Sequence, residues 1–451
     1  MIFTILLLIT VIIFYVSGTK SNISELVVGY NILVFIALGC YLFVTLDKFR
    51  LEKQSYFQLE IIFWIFYFIV FYLPYVHVFD DGHIQESTFV PRQFVEQGNR
   101  AVTASTIGFI AFMMGRYLPI HLKDKKIAIG KDLLLSKFLQ IISILASLFF
   151  GIAFIPQALI MIASSYAGSE FSDLNDTINY FFLQFFLSVL SINALYQVIR
   201  LRKISLLFVC SCIIYIIFVL MILLTGDRSG FIKLIAIPLF VISHYLLKVK
   251  LRYIVLGGIL IFILYDFIET FRMMEEFTIE EYYSLHEERN EKHEGDSSFN
   301  NTTTLTRASF YYIDCLNSPH SYGYFLIISA LRSIPFGITT FFPNEKYYGT
   351  APILTDLCHS DFSLGSSIIA ESYIEFGLLG VILYLFVIGF LVNYCTVRLL
   401  RNRYGLMELS LYAILFSIII ILPRYSTAII VREIVWMYLL LLLAKFIYKN
   451  A

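Results

Sequence analysis

The sequence predicts an all-α polytopic membrane protein, and three observations carry the prediction. Of 451 residues, 59% are hydrophobic and only 15% are charged, against about half and about a quarter in a soluble domain. The mean hydropathy is +0.79. Apolar runs of about twenty residues, long enough to cross roughly 30 Å of hydrocarbon as helices, follow one another along the chain. Net charge is zero, from 33 basic and 33 acidic residues. That balance argues against a nucleic-acid partner and makes the placement of the charges the informative quantity.

The runs number about twelve: 2–17, 26–46, 56–79, 101–119, 136–163, 177–199, 204–225, 231–247, 253–268, 376–396, 406–422 and 427–447. The first has the length of a signal peptide but lacks a basic leader, and Ser17-Gly18-Thr19 is a poor cleavage site, so it reads as a membrane helix. No internal repeat or flexible linker divides the chain. It reads as helices one to nine (1–268), an inserted helical loop (269–375) and helices ten to twelve (376–451). Tyr322–Phe342 is also apolar, but it holds Arg332, Pro335 and Gly337 and reads as an interfacial or re-entrant element.

Charge alternates between successive connections. Lys48, Arg50 and Lys53; Lys123, Lys125, Lys126 and Lys131; Arg200, Arg202 and Lys203; Lys248, Lys250 and Arg252; Arg398, Arg401 and Arg403; and Lys445 and Lys449 fall on one side. The opposite short connections hold Lys20, Arg92, Arg100, Arg228 and Arg424. The positive-inside rule then puts both termini in the cytoplasm and the large loop outside. An even helix count leads to the same topology.

The six cysteines show no metal-ligand spacing, and only Cys315 and Cys358 share the loop, where an oxidising compartment would let them pair. The loop's early Glu-rich stretch, Met274–Asp296, reads as a solvated helix. A segment from Thr306 to Asp314 reads as an amphipathic helix that turns Arg307 and Asp314 inward.

Candidate chemistry lies at the outer ends of the helices. In Thr225-Gly226-Asp227-Arg228-Ser229-Gly230, glycines permit a tight turn and an arginine offers a planar fork for phosphate oxygens. The same turn also reads as a solvated hairpin. Arg272 follows Asp266 and Glu269; Arg424 and Arg432, eight residues apart, read as two turns along one face of the last helix; Lys233 lies just inside the eighth. Charges at membrane depth face a partner, a cavity or a ligand. Each of these has a bland alternative as an ion pair with Asp266, Glu269 or Glu433; together they describe a cationic cavity of the kind a diphosphate occupies. The loop ends in Cys358-His359-Ser360-Asp361, a Gly/Ser-rich lead, and a helix carrying Glu371 that runs into Phe376-Gly377-Leu378-Leu379-Gly380. A histidine there is able to take a proton from a hydroxyl, though a lone exposed histidine is more often inert.

These residues resemble a family. The sequence His359, a polar stretch, an apolar helix with Glu371, then Phe376-Gly377-Leu378-Leu379-Gly380 is similar to the end of the large periplasmic loop in Wzy-type O-antigen polymerases and the related O-antigen ligases. The Gly226–Gly230 turn is similar to the arginine turn of the same superfamily. The resemblance covers nearly the whole chain. It implies a GT-C-type, inverting, metal-independent glycosyltransferase without cofactor, acting in the bacterial cytoplasmic membrane with its active site facing the periplasm or exterior. The implied partners are undecaprenyl-diphosphate-linked glycans and membrane lipid, with the chain-length regulator and flippase of the pathway as further ones. By matching position Arg228 would bind the diphosphate and His359 would meet the acceptor hydroxyl. The spacing from His359 to Glu371 is longer than in the ligase-type motif, which leaves His359, Asp361 or neither as the base. Arg272, Arg307, Arg332, Arg424, Arg432 and Glu371 are the further candidates for diphosphate and glycan contacts. A ligase using a lipid A core acceptor and a lipid-linked oligosaccharide flippase are the competing expectations. Helix centres nearly free of charge, with polar groups gathered on one face, favour chemistry at the outer surface over transport.

Overall fold

The computed structural model describes residues 2–17, 25–48, 58–76, 97–121, 129–163, 174–225, 227–245, 321–331, 366–401, 405–424 and 427–450, with single or paired residues between them. Residues 258–268, most of the ninth predicted span, and Cys315 and Cys358 lie outside the described residues. Among the described residues the chain forms helices and no strand. They are α1 (Ile2–Ser17), α2 (Glu25–Lys48), α3 (Leu59–Phe71), α4 (Gly98–Arg116), α5 (Ile129–Ala163), α6 (Leu174–Leu201), α7 (Leu206–Leu224), α8 (Arg228–Tyr245), α9 (Tyr324–Leu331), α10 (Ile368–Phe376), α11 (Leu378–Arg401), α12 (Leu406–Ile421) and α13 (Thr427–Asn450). Among the described residues six helices are long and apolar enough to cross a membrane, and α1, α3 and most of α8 are shorter apolar helices.

Two kinds of helix build the bundle. α7 is apolar all round and only 22% of its residues are buried, whereas 83% of the α12 span is; the first faces lipid and the second the interior. α4 is the most enclosed, with nearly every residue buried. Its small polar residues make this possible. Thr103 receives Asn31 Nδ2 at 3.1 Å, Tyr67 donates to the Ser105 carbonyl at 2.7 Å, and Tyr72 bonds Thr106 at 2.8 Å. Small and hydroxyl residues let helices approach without leaving polar groups unpaired. Where α4 crosses α11 two glycines meet backbone directly: a Cβ on Gly115 would lie 2.1 Å from the Phe386 carbonyl oxygen, and one on Gly389 2.0 Å from that of Phe112.

Pro238 inside α8 removes one backbone donor and leaves the Leu234 carbonyl without its usual partner. Tyr215 of α7 donates its hydroxyl to that oxygen at 2.5 Å, so the break is satisfied by a neighbour.

The two ends of the bundle are braced separately. At one end Arg116 donates to Glu60 at 2.6 Å and to Asn393 at 3.0 Å, the Leu406 amide donates to Asp132 at 3.2 Å, and Arg398 pairs with Glu408. Arg398 and Lys445, of the basic residues read as one-sided, stand at this end. At the opposite end Phe310, Asp314, α9 and α10 pack on the helix ends, with Phe310 and Phe14 both against Tyr373. We call these the basic end and the loop end. α9 lies within the apolar stretch Tyr322–Phe342, of which residues 332–342 lie outside the described residues.

Candidate active site

The predicted arginine turn is built as a helix cap. Asp227 precedes α8, and its Oδ1 accepts the Gly230 amide at 3.0 Å and the Ser229 hydroxyl at 2.6 Å. A carboxylate in that position satisfies amides left open at a helix N-terminus and opposes their dipole. Its Oδ2 accepts from the Tyr180 hydroxyl and from Gln184 Nε2 at 3.3 Å, which ties the cap to α6. Gly230 fits closely beneath it, since a Cβ there would lie 2.4 Å from Gln184 Nε2. Asp227 therefore does not simply face water. Its cap puts the backbone of Arg228 at the first position of α8; the Arg228 side chain lies outside the described residues.

Further along α8, Lys233 donates to Glu433 of α13 and, at 3.3 Å, to Gln184 Oε1. Both charged side chains are buried. The bland reading of Lys233 as an ion pair with Glu433 is the correct one. Glu433 Oε2 is buried and, among the described residues, has no hydrogen-bond partner. The Arg432 guanidinium lies 4.2 Å from the centre of the Phe181 ring of α6, a cation–π contact. The N-terminal thirds or so of α6, α8 and α13 thus meet through side chains on the second and third turns, so the three helix N-termini lie on the same side of that contact. Helix N-termini favour anions.

Arg424 corrects one expectation. It ends a 3-10 turn, Leu422–Arg424, that closes α12 before α13 begins at Thr427. Pro423 has no amide to continue the helix, so the eight-residue spacing to Arg432 crosses a break and does not describe one helix face. Arg424 is partly exposed and, among the described residues, has no ion-pair partner.

The end of the loop is organised by α10. Ser367 caps it, accepting the Ala370 amide at 3.1 Å. Glu371 is buried at 2% exposure within the bundle, so its carboxylate is not open to a glycan at the surface. Glu375, which sequence reasoning passed over, caps α9: it accepts from the Gly323 amide at 2.6 Å, the Leu326 amide at 2.8 Å and the Ser321 hydroxyl at 2.5 Å. Gly377 has φ 62° and ψ −145°, a conformation that side chains resist. It breaks α10 from α11. A Cβ on Gly380 would lie 2.0 Å from the Ser372 carbonyl oxygen. The Phe376-Gly377-Leu378-Leu379-Gly380 stretch is thus a backbone hinge between two packed helices.

Asp314 turns inward, as its segment predicted. It pairs with Arg100 at 3.1 Å and accepts from the Tyr373 hydroxyl at 2.8 Å. Burial pushes its carboxyl above the ordinary carboxylate value, against the smaller opposing effects of Arg100 and Tyr373. Arg100 had shown only as one cation in a short connection. Its role needs Asp314, some two hundred residues later, and no local pattern links them.

His359, Asp361, Arg272, Arg307 and Arg332 lie outside the described residues. Among the described residues no group of three His, Cys, Asp or Glu side chains is placed to hold a metal ion.

With this geometry in view, comparison with known families finds the chain similar over residues 1–451 to the family described as O-antigen polysaccharide polymerase Wzy. No curated protein and no solved structure matches it.

Proposed function

The chain belongs to the O-antigen polysaccharide polymerase Wzy family, and from that membership we propose that it joins repeat units carried on undecaprenyl diphosphate into O-antigen or capsular polysaccharide. The reaction takes place at the loop end. That end faces the periplasm or exterior of a bacterial cytoplasmic membrane, because the basic connections gather at the other and hold the termini in the cytoplasm. The observation that carries this reading is the Asp227 cap, which sets Arg228 at the start of α8, on the helix that Lys233 joins to α13 beside Arg432. An anion site needs preorganised donors more than it needs chemistry of its own.

The donor is a glycan on undecaprenyl diphosphate with its lipid between the helices; the acceptor is a single lipid-linked repeat. An acceptor hydroxyl oxygen forms a bond to the donor's anomeric carbon as the carbon–oxygen bond to the diphosphate breaks, with inversion. The electron pair leaves with the diphosphate, where Arg228 and the helix N-termini stabilise it, helped by Arg432, Arg424, Arg272, Arg307 and Arg332. The hydroxyl proton passes to His359 or Asp361. GT-C-type architecture is part of this reading.

Purified protein given one defined lipid-linked repeat, without added divalent metal, should form a ladder of products. Arg228→Ala should lower the rate by about 10²–10³-fold, the usual effect of losing one preorganised donor, at unchanged protein level. The reading is overturned if wild-type protein makes no ladder, or if a deletion strain accumulates long unligated polymer in place of single-repeat glycolipid.

A further inference from the structure

One turn of α6 touches both helices that carry the proposed diphosphate contacts. Tyr180 donates its hydroxyl to Asp227, the cap of α8, and Gln184, one turn further along α6, donates Nε2 to the same carboxylate oxygen at 3.3 Å. The other end of the Gln184 amide accepts Lys233 Nζ at 3.3 Å, and Lys233 pairs with Glu433 of α13. Between Tyr180 and Gln184, the Phe181 ring lies 4.2 Å from the Arg432 guanidinium, and Phe182 meets Trp436 of α13 edge-on at 5.5 Å. The Gln184 amide is therefore a link in a chain of polar contacts that runs from the cap of α8 through Lys233 and Glu433 to α13.

The two partners fix which end of the amide faces which. An ammonium offers only donors, and a carboxylate that accepts the Gly230 amide, the Ser229 hydroxyl and the Tyr180 hydroxyl offers only oxygens. An amide, with its acceptor and its donors in one plane, meets both at once; a carboxylate or an apolar side chain of the same length does not. At 9% exposure, Gln184 has little water to replace either bond. Gly230 makes the contact possible. A Cβ there would lie 2.4 Å from Gln184 Nε2, 2.5 Å from Asp227 Oδ2 and 2.9 Å from the Tyr180 hydroxyl oxygen, so even a methyl group would push the polar ends of α6 off the cap.

We propose that Gln184 is a positioning residue for glycosyl transfer: its two amide bonds fix the first turn of α8, where Arg228 stands, against the segment of α13 that carries Arg432, and so set the spacing of the two segments about the departing diphosphate. The roles of Arg228 and Arg432 rest on the polymerase reading; what is added is that their spacing is held from α6. Gln184 touches no substrate and moves no proton. Its effect is on geometry, and a displacement of about 1 Å at a reacting centre costs up to about a hundredfold in rate.

The test uses full-length protein in lipid nanodiscs with two probes, the lipid-linked single repeat and undecaprenyl diphosphate, which carries the full charge of the departed group. Gln184→Met keeps the length of the side chain and removes both bonds; kcat should fall about tenfold or more, with KM for the repeat within about threefold. Affinity for undecaprenyl diphosphate should fall by a factor similar to the loss in kcat. Gly230→Ala, which displaces the same three side chains, should act in the same direction and tests the role should Gln184→Met fold poorly. A double-mutant cycle separates positioning from support of the fold: in an Arg228→Ala background Gln184→Met should cost much less in kcat than it does in wild type, because a group it positions is gone. Unchanged kcat and diphosphate affinity in both variants, or a full second loss of rate in the double variant, would overturn the proposal whatever the melting temperatures. A wild-type protein that forms no ladder, with diphosphate affinity lost in Gln184→Met, would overturn the polymerase reading and leave the positioning role standing.

Discussion

Lys233 and Glu433 stand 200 residues apart in sequence and form a buried ion pair that joins α8 to α13. Two charges taken out of water are held, among the described residues, by each other and by Gln184. Removing one leaves the other uncompensated, at a cost of about 3–5 kcal/mol.

Glu433→Gln and Lys233→Met should each lower the melting temperature in detergent and reduce the amount of protein recovered from membranes. The double replacement Lys233→Met with Glu433→Leu should recover much of that loss. A double variant no more stable than either single one would mean that the charges do more than hold the helices together.

Asp227→Ala removes the cap of α8 and both bonds to α6, and should cost about 1–2 kcal/mol in stability. Its larger effect should be on turnover, because Arg228 loses its fixed start. Asp227→Asn keeps a capping oxygen and should retain more activity than the alanine variant. Equal rates for the two, measured on the product ladder, would separate the cap from the chemistry.

Gly377→Ala places a side chain where φ is 62° and ψ is −145°. The strain is worth about 1–3 kcal/mol and falls on the hinge between α10 and α11. A lower melting temperature and faster protease cleavage near residue 377 are the expected results, while Gly130→Ala, with open space around the new atom, should be neutral.

Asp314 makes the stability of the protein respond to pH. Its folded pKa lies above the ordinary value, so the folded state holds the proton more tightly than the unfolded state does. The stability it contributes is full below the unfolded value of about 4 and is lost as pH rises through the folded pKa. Wild-type protein should therefore lose stability relative to Asp314→Asn as pH rises through that window. The neighbouring titratable groups are Arg100 of α4, Tyr373 of α10 and, beside Tyr373, Tyr15 of α1. Tyr373→Phe removes a donor that favours the charged form and should widen that window toward higher pH, as read from melting temperature against pH. A stability difference between wild type and Asp314→Asn that does not change with pH would exclude Asp314 as the titrating group.

The sequence by itself determined the class of the protein, its run of apolar helices, the sorting of basic connections to one end and the turn that carries Arg228. Each follows from a local quantity: hydropathy over about twenty residues, charge between helices, or glycines flanking a short turn. Arg424 and Arg432 show the limit of local reading, because Pro423 ends one helix between them and the spacing loses its meaning. Only the tertiary structure decided which charges are neutralised and which remain available. Lys233 needed Glu433, Arg100 needed Asp314 and Tyr373, and Glu375 needed the amides of α9. These partners lie tens to hundreds of residues apart, and a charge at membrane depth takes its character from its neighbour in space, which no periodicity along the chain encodes.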